Sequence, residues 1–311
     1  MVAHITKLKC WHNIAAAMVY AMVVLVLIQL ANHAMPIYDE FQISRDVTYR
    51  TVDGHAVKLD VYSKRDATTP NATLVYFHGG GWIGGSKEAE SLQFRPFLEM
   101  GWNVVNVEYR LGDVALAPAS VEDAICALRW VHRNASAYRI DPNRVVLMGQ
   151  SAGAHLALTA AMLPAEAKLA SSCPEPKDAM VAAIINWYGI ADVNDLLHGA
   201  NTRFFATAWL GEAPDREDIA KRISPLHYVR AGIPPVISIH GDEDDEVPYA
   251  HSVLLHQALE SARIRNRLVT IPGGAHGGFS KAEMAHAFTE IRDFLAAESI
   301  VAADDGKRVS R

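Results

Sequence analysis

The sequence predicts an α/β protein whose central sheet is mostly parallel, with an antiparallel N-terminal hairpin and helices on both faces. Three observations carry that expectation. From residue 73 onward, short β-branched apolar runs alternate with helix-like segments, the pattern of βαβ units whose strands are buried on both sides. Ahead of them, two alternating runs joined by Asp53-Gly54 read as a hairpin that opens the sheet. Finally, glycine-containing loops follow four of the strands, at the sheet edge where a parallel fold collects its functional side chains.

The elements follow in order. Ser44 to Thr51 and Val57 to Ser63 form the hairpin; Thr73 to Phe77 is a strand, Lys87 to Met100 a helix and Trp102 to Val107 a strand. Ser120 to Ala135 is a helix and Arg144 to Met148 a strand, with further strands at Val181 to Trp187, Pro235 to Ile239 and Arg267 to Ile271. Helices are expected at Tyr249 to Ala262 and Lys281 to Ala297. Residues 190–232 read as an irregular, lid-like insertion containing Phe204, Phe205 and Trp209. Aromatics in a long connection serve either to cover a site or to pack beneath it.

The chain has 311 residues, a formal charge of -6 and scattered basic residues, so nothing in it attracts a nucleic-acid backbone. Its N-terminus is a separate element, residues 1–34. Lys7 and Lys9 precede an uncharged apolar run from Ile14 to Ala31, and Asn32-His33-Ala34 offers a cleavage site before Met35. The expectation is a secretory signal that sends the body out of the cytoplasm, secreted or periplasmic. The alternative is an uncleaved membrane anchor with the body outside, since the run is just long enough to span a bilayer. Residues 35–301 are then the main folded body, and 302–311, rich in charge, a disordered tail. An oxidising compartment permits a disulfide between Cys126 and Cys173, but Cys126 inside an amphipathic helix reads as a free, buried, small hydrophobe.

The chemistry centres on Val145 to Leu158, VVLMGQSAGAHLAL, where Gly149-Gln150-Ser151-Ala152-Gly153 sits between a strand and a helix. Glycines on both sides of a serine allow a sharp strand-to-helix turn that leaves the hydroxyl exposed, and the helix start directs its N–H groups there. Ser151 is therefore the candidate nucleophile. A second motif, His78-Gly79-Gly80-Gly81-Trp82, follows the strand TLVYF. Consecutive glycines let backbone N–H groups converge on an oxyanion. The same stretch satisfies the dinucleotide pattern Gly79-x-Gly81-x-x-Gly84, with Glu108 placed as a ribose-binding acid. A serine elbow one βαβ unit later, and a fingerprint that follows a hairpin rather than opening the fold, weigh against that reading. An elbow serine needs a base and an acid to orient it. The loop His240 to Pro248, HGDEDDEVP, and the loop Pro272 to Phe279, PGGAHGGF, supply them, with Asp242, Asp244 and Asp245 competing as the acid and His276 as the base. His78, His240 and His155 read as makers of structural hydrogen bonds. No Cys/His spacing suggests zinc, the acidic cluster lacks the pattern of a helix-loop-helix calcium site, and no cofactor is expected.

With these motifs together, the sequence resembles the α/β-hydrolase superfamily, and HGGGW, GQSAG and HGxxDxxVP are similar to the hormone-sensitive-lipase-like carboxylesterases and their acetyl or feruloyl esterase relatives. The resemblance covers about Val47 to Ala297. It implies Ser151 as nucleophile, Asp244 as acid and His276 as base, with the N–H groups of Gly80, Gly81 and Ala152 as the oxyanion hole. It also implies a serine carboxylesterase acting on short-chain or carbohydrate-linked acyl esters. Two departures stand out: Gln150 occupies a position where many of these esterases have an acid, and no long helical cap precedes the first strand. Trp82, Gln150, Trp187 and Tyr188 are candidate substrate-pocket residues. An arylformamidase-like amidase and a non-catalytic binding protein are the alternatives; the filled triad positions argue against the second. Oligomeric state is not legible in the sequence.

Overall fold

The computed structural model describes residues 37–164, 167, 169, 173–174 and 179–301. The segments expected to be an N-terminal signal or anchor, 1–34, and a disordered tail, 302–311, lie outside the described residues. The chain divides into two units, 1–42 and 43–311. Of the first, the described part is a helical turn at 37–39 and the start of strand β1. Among the described residues no helix is long and apolar enough to cross a membrane.

One eight-stranded sheet organises the second unit. Its strands are β1 (Phe41–Val52), β2 (His55–Lys64), β3 (Asn71–Phe77), β4 (Asn103–Val107), β5 (Ile140–Gln150), β6 (Ala183–Trp187), β7 (Val236–Gly241) and β8 (Asn266–Ile271). They are arranged in the order β1-β2-β4-β3-β5-β6-β7-β8. The strand β2 runs antiparallel to β4, and every pairing from β4 through β8 is parallel. At the hairpin turn both Asp53 and Gly54 take positive φ, as a two-residue turn with the twist of its strands requires. Strands β4, β6 and β7 are buried at every position, which is why they read as mainly apolar runs without strict alternation, with Asn103, Asn106, Asn186, Ser238 and His240 as buried polar members.

Helices α1 (Arg95–Glu99), α2 (Ala119–Arg133), α3 (Ala152–Met162), α4 (Phe204–Leu210), α5 (Arg216–Arg222), α6 (Ala250–Ser261) and α7 (Lys281–Ala297) complete the fold. The start of α7 is set by a capping box, in which the Ser280 hydroxyl accepts from the Glu283 amide and the Glu283 carboxylate from the Ser280 amide.

One expected helix is largely absent. Only Arg95–Glu99 of the span 87–100 is helical, because the groups ahead of it are bonded elsewhere. The Lys87 amide donates to Glu108, its carbonyl accepts from Asn106, and its ammonium is drawn to Asp60. Glu90 is likewise turned towards β3, where its carboxylate accepts from Tyr76 and from the Gly79 amide. These bonds compete with a helical backbone, and Pro96 then starts the single turn that does form.

The expectation of a free Cys126 is also corrected. Cys126 is buried on α2 and forms a disulfide with Cys173, with Cα atoms 5.0 Å apart and a sequence separation of 47. The chain around Cys173 returns onto α2, where the Arg129 guanidinium donates to the Cys173 carbonyl. A linear reading does not contain that return. Constraining a loop of this length in the unfolded chain is worth about 4 kcal/mol in the chain-entropy account. The Cys126→Ser, Cys173→Ser double variant is expected to unfold at clearly lower denaturant concentration than the oxidised protein, and an unchanged midpoint would contradict this.

Residues 190–232 are more regular than expected, holding α4, α5 and three 3-10 turns, Asp195–Leu197, Gly199–Asn201 and Pro225–Tyr228. Their apolar side chains Val193, Leu196, Trp209 and Ile223 are buried in the same core as the sheet and its helices. The insertion is therefore packed onto the body.

Candidate active site

In the strand order, β4 and β5 lie on opposite sides of β3, so the winding reverses there and the loops after β3 and β5 open a crevice between them. Phe77 pairs with Gly149, which brings Gly79–Gly81 and Ser151 out of the sheet side by side. On the other flank Gln150 pairs with Trp187, and Gly241 with Ile271, so the loops that follow β6, β7 and β8 emerge at the same edge.

Ser151 joins β5 to α3 with φ 52° and ψ -119°, a conformation unfavourable for a side chain bearing Cβ. Its amide donates to the Trp187 carbonyl at 2.9 Å, which holds the turn against β6. The flanking glycines are required by contact: a Cβ on Gly149 would strike the Gly153 backbone, and one on Gly153 would strike the carbonyls of Phe77 and His78. Ala152 opens α3, so its amide has no carbonyl one turn back within that helix.

Gly80 and Gly81 both have positive φ, 112° and 60°. A Cβ on Gly80 would meet the Gly84 carbonyl, and one on Gly81 would stand 2.6 Å from Cβ of Phe205. The loop is fixed from behind. Glu90 Oε2 accepts from the Gly79 amide at 3.1 Å and from the Tyr76 hydroxyl at 2.6 Å, while Tyr109 donates to the His78 carbonyl at 2.9 Å. His78 stacks on Tyr109 and bonds Glu108 at 2.9 Å through Nε2. Glu108 also accepts from the Lys87 amide, so both of its oxygens are engaged by protein groups and the ribose-binding role weighed for it has no support. We expect Gly81→Val to lower ester turnover at least about a hundredfold, the cost of one lost oxyanion donor. Unchanged turnover in a folded variant would argue against an oxyanion role for this loop.

His276 Nδ1 lies 2.7 Å from Asp244 Oδ2. The Asp244 side chain is fully enclosed, its Oδ1 accepting from the amides of Glu246 and Val247 at 2.9 and 2.8 Å. Burial pushes this carboxyl up. The bonds from His240 and His276, the charge of His276 and the Val247 amide outweigh burial and hold it well below the usual carboxylate range. Asp242 and Asp245, the competing acids, are exposed, and Asp242 instead accepts from the Gly273 amide at 2.6 Å.

These elements surround a cavity of about 460 Å³, lined by the glycine turn and by Ile83, Glu90, Gln150, Ser151, Tyr188, Phe205, Glu246 and His276. Ser151, His276, Gly80, Gly81, Gln150 and Tyr188 thus share one cavity. Burial, with the charges of Glu90 and Asp244 behind it, raises the Tyr188 phenol, so it presents a neutral hydroxyl; its ring meets His276 edge-on at 4.7 Å.

Two expected pocket residues are elsewhere. Trp82 is fully buried behind the glycine turn, stacked on Trp209 with ring centroids 4.1 Å apart and donating to His155 Nδ1 at 3.2 Å. Since the indole can only donate, His155 Nδ1 accepts and its Nε2 donates to the Ile223 carbonyl at 2.8 Å. Burial drives the His155 imidazole down to about 4, with the Ile223 bond opposing it only in part, so the ring is neutral at physiological pH. Trp187 is buried on β6 against Phe279 and Phe288. Both indoles are buried away from the cavity, Trp82 within the glycine turn and Trp187 on the strand paired with the elbow strand.

The sequence reading missed Glu90 as a cavity wall and His240 as a partner of Asp244, and left open whether Phe205 covers the site or packs beneath it. Of the insertion aromatics Phe204, Phe205 and Trp209, Phe205 lines the cavity, Trp209 packs under it and Phe204 is 80% exposed. Among the described residues no group of three or more His, Cys, Asp or Glu side chains is placed to hold a metal ion.

A family model described as BD-FAE matches residues 59–259, well over half of the chain. Esterase LipC of Mycobacterium tuberculosis is 27% identical over 232 residues, 72% of this chain and 58% of the relative. The chain thus spans little more than half the length of that curated relative. Among solved structures, a truncated carbohydrate esterase from gut microbiota is similar with a TM-score of 0.70 and 25% identity, over 85% of this chain and 98% of that one. Thermogutta terrifontis esterase 2 phosphorylated by paraoxon is similar with a TM-score of 0.71 and 27% identity, over 86% and 97%.

Proposed function

The chain belongs to the BD-FAE family, and from that footing we propose that it is a serine carboxylesterase acting through Ser151, His276 and Asp244. The observation that carries the reading is the 2.7 Å bond between Asp244 and His276 beside the same cavity that Ser151 opens into from its strained turn. His276 takes the proton of Ser151 as its oxygen attacks the acyl carbonyl. Asp244, bonded at Nδ1, keeps the proton-accepting Nε2 free and stabilises the imidazolium. The amides of Gly80, Gly81 and Ala152 meet the developing oxyanion, and the protonated His276 then releases the alcohol. Water repeats the cycle on the acyl-enzyme. The enclosed anion of Asp244 lowers the cost of the positive charge that forms on His276 when the serine proton moves to it, in acylation and again in deacylation.

The substrates we propose are short-chain or carbohydrate-linked acyl esters. Support comes from the size of the cavity, from its mixed lining of Ile83 and Phe205 with Gln150, Tyr188 and Glu90, and from the esterases it resembles. The test is a p-nitrophenyl ester series from acetate to dodecanoate. Activity is expected to fall with chain length. Phe205→Ala, which removes the ring lying on Gly81, is expected to raise the hexanoate-to-acetate ratio of kcat/KM about fourfold, the worth of one more buried methylene. A folded protein inactive on every ester would overturn the reading, and an unchanged ratio would remove Phe205 as the limit on acyl length.

We place this activity outside the cytoplasm, secreted or periplasmic through the N-terminal segment, with an uncleaved membrane anchor as the alternative. The Cys126–Cys173 disulfide supports an oxidising compartment. Fractionation of expressing cells tests it, and a protein confined to the cytosol with reduced thiols would contradict it.

A further inference from the structure

Asp244 is bonded to two imidazoles. Its Oδ2 is 2.7 Å from Nδ1 of His276 and 3.1 Å from Nε2 of His240. The same Nε2 of His240 lies 3.1 Å from the Val247 carbonyl. A carbonyl oxygen only accepts, so this nitrogen carries a proton shared between carbonyl and carboxylate. Nδ1 of His240 is 2.7 Å from the Ser252 hydroxyl on α6, which fixes the plane of the ring. His240 and Ser252 are both wholly buried.

The surroundings leave this contact to His240. From the edge of β6, the Tyr188 ring lies 6.4 Å from His240; from the start of α6, Tyr249 lies 5.5 Å away and bonds Thr270. His251, next to Ser252, is turned to Asp195 and to the amides of Ala191 and Asp192. From the acid loop itself, Glu246 and Val247 offer their amides to the other oxygen, Oδ1. Glu246 and Glu90 are the acidic residues that line the cavity.

We infer that His240, held by Ser252, is a positioning residue that fixes the orientation of Asp244 and tempers its pull on the proton of His276. The inference rests on the triad proposed above. A donated bond disperses the charge on Oδ2; without it the carboxylate attracts the imidazolium of His276 more strongly, and the unprotonated base is reached only at higher pH.

The test is the pH profile of kcat/KM on p-nitrophenyl acetate for the wild type, His240→Gln and His240→Asn. Glutamine can place an N–H where Nε2 stands, whereas asparagine reaches only the position of Nδ1. For His240→Asn, kcat/KM at neutral pH is expected to fall about tenfold, in keeping with a lost bond to a charged group. Its acid-side midpoint should move up by about half a unit. His240→Gln should restore both towards wild type. Midpoints that stay in place or move down, or equal losses in the two variants, would overturn the role. Should His240→Asn not fold, Ser252→Ala is expected to give the same upward movement at smaller size, and a fixed midpoint there overturns it equally. A wild type that cleaves no ester, or Ser151→Ala retaining activity, would instead remove the triad reading itself.

Discussion

Ser151→Ala is expected to lower kcat on p-nitrophenyl acetate by about 10⁶-fold, the loss seen when the nucleophile of a working triad is removed. Stability should change little, because the side chain is small and the strained backbone of the turn is held by the Ser151 amide on Trp187 and by the glycines around it. Steady-state turnover with a thermal unfolding control checks both halves. Residual activity within about a hundredfold of wild type, well above what oxyanion and binding contributions alone leave, would mean that another group attacks the ester.

The second large effect is expected at Asp244. Asp244→Asn keeps an oxygen for the amides of Glu246 and Val247 but replaces a charged acceptor by a neutral amide facing His276 and His240. The wrong imidazole tautomer is then favoured, and kcat should fall about 10⁴-fold. Asp242→Asn and Asp245→Asn serve as comparisons, since both residues are exposed and neither approaches His276 in the way Asp244 does. A larger loss at either of them than at Asp244 would move the acid to another position in the loop.

Local signals were legible wherever chemistry and geometry are settled by neighbours in sequence. Asp53-Gly54 has no other economical use than a tight hairpin, and helix α7 runs from Lys281 to Ala297 as its apolar spacing indicated. The elbow at Ser151 was readable for the same reason: two glycines, a preceding strand and a following helix are all within fifteen residues. What was not legible depends on partners distant in the chain. Glu90 looks like one acid in a helical pattern until Tyr76 and Gly79 claim it, and with Lys87 it dissolves most of the helix expected there. Cys126 looks like a small hydrophobe until the chain near Cys173 returns to it.

The pocket walls failed in an instructive direction. Trp82 closes the glycine motif and Trp187 ends the strand paired with the elbow strand, yet the stack on Trp209 buries the first and the packing on Phe279 and Phe288 buries the second. Phe205, from an insertion more than fifty residues after the elbow, is the ring that reaches Gly81. Of the four expected walls, Gln150 and Tyr188 line the cavity while Trp82 and Trp187 do not, because walls are contributed by whichever element packs over the sheet edge. His240 is the intermediate case. Its position at the end of β7 was readable, but its contact with Asp244 arises only when the loop closes on Val247 and Ser252.

The central claim is that one serine, at the β5–α3 turn, is the nucleophile. The most direct measurement is covalent labelling of the intact protein with paraoxon, followed by digestion and mass spectrometry of the peptides. A single diethylphosphoryl group on the peptide carrying Ser151, gained in step with the loss of esterase activity and absent from Ser151→Ala, is the predicted result. Full esterase activity after saturating treatment, or inactivation with the label on a different residue, would contradict it.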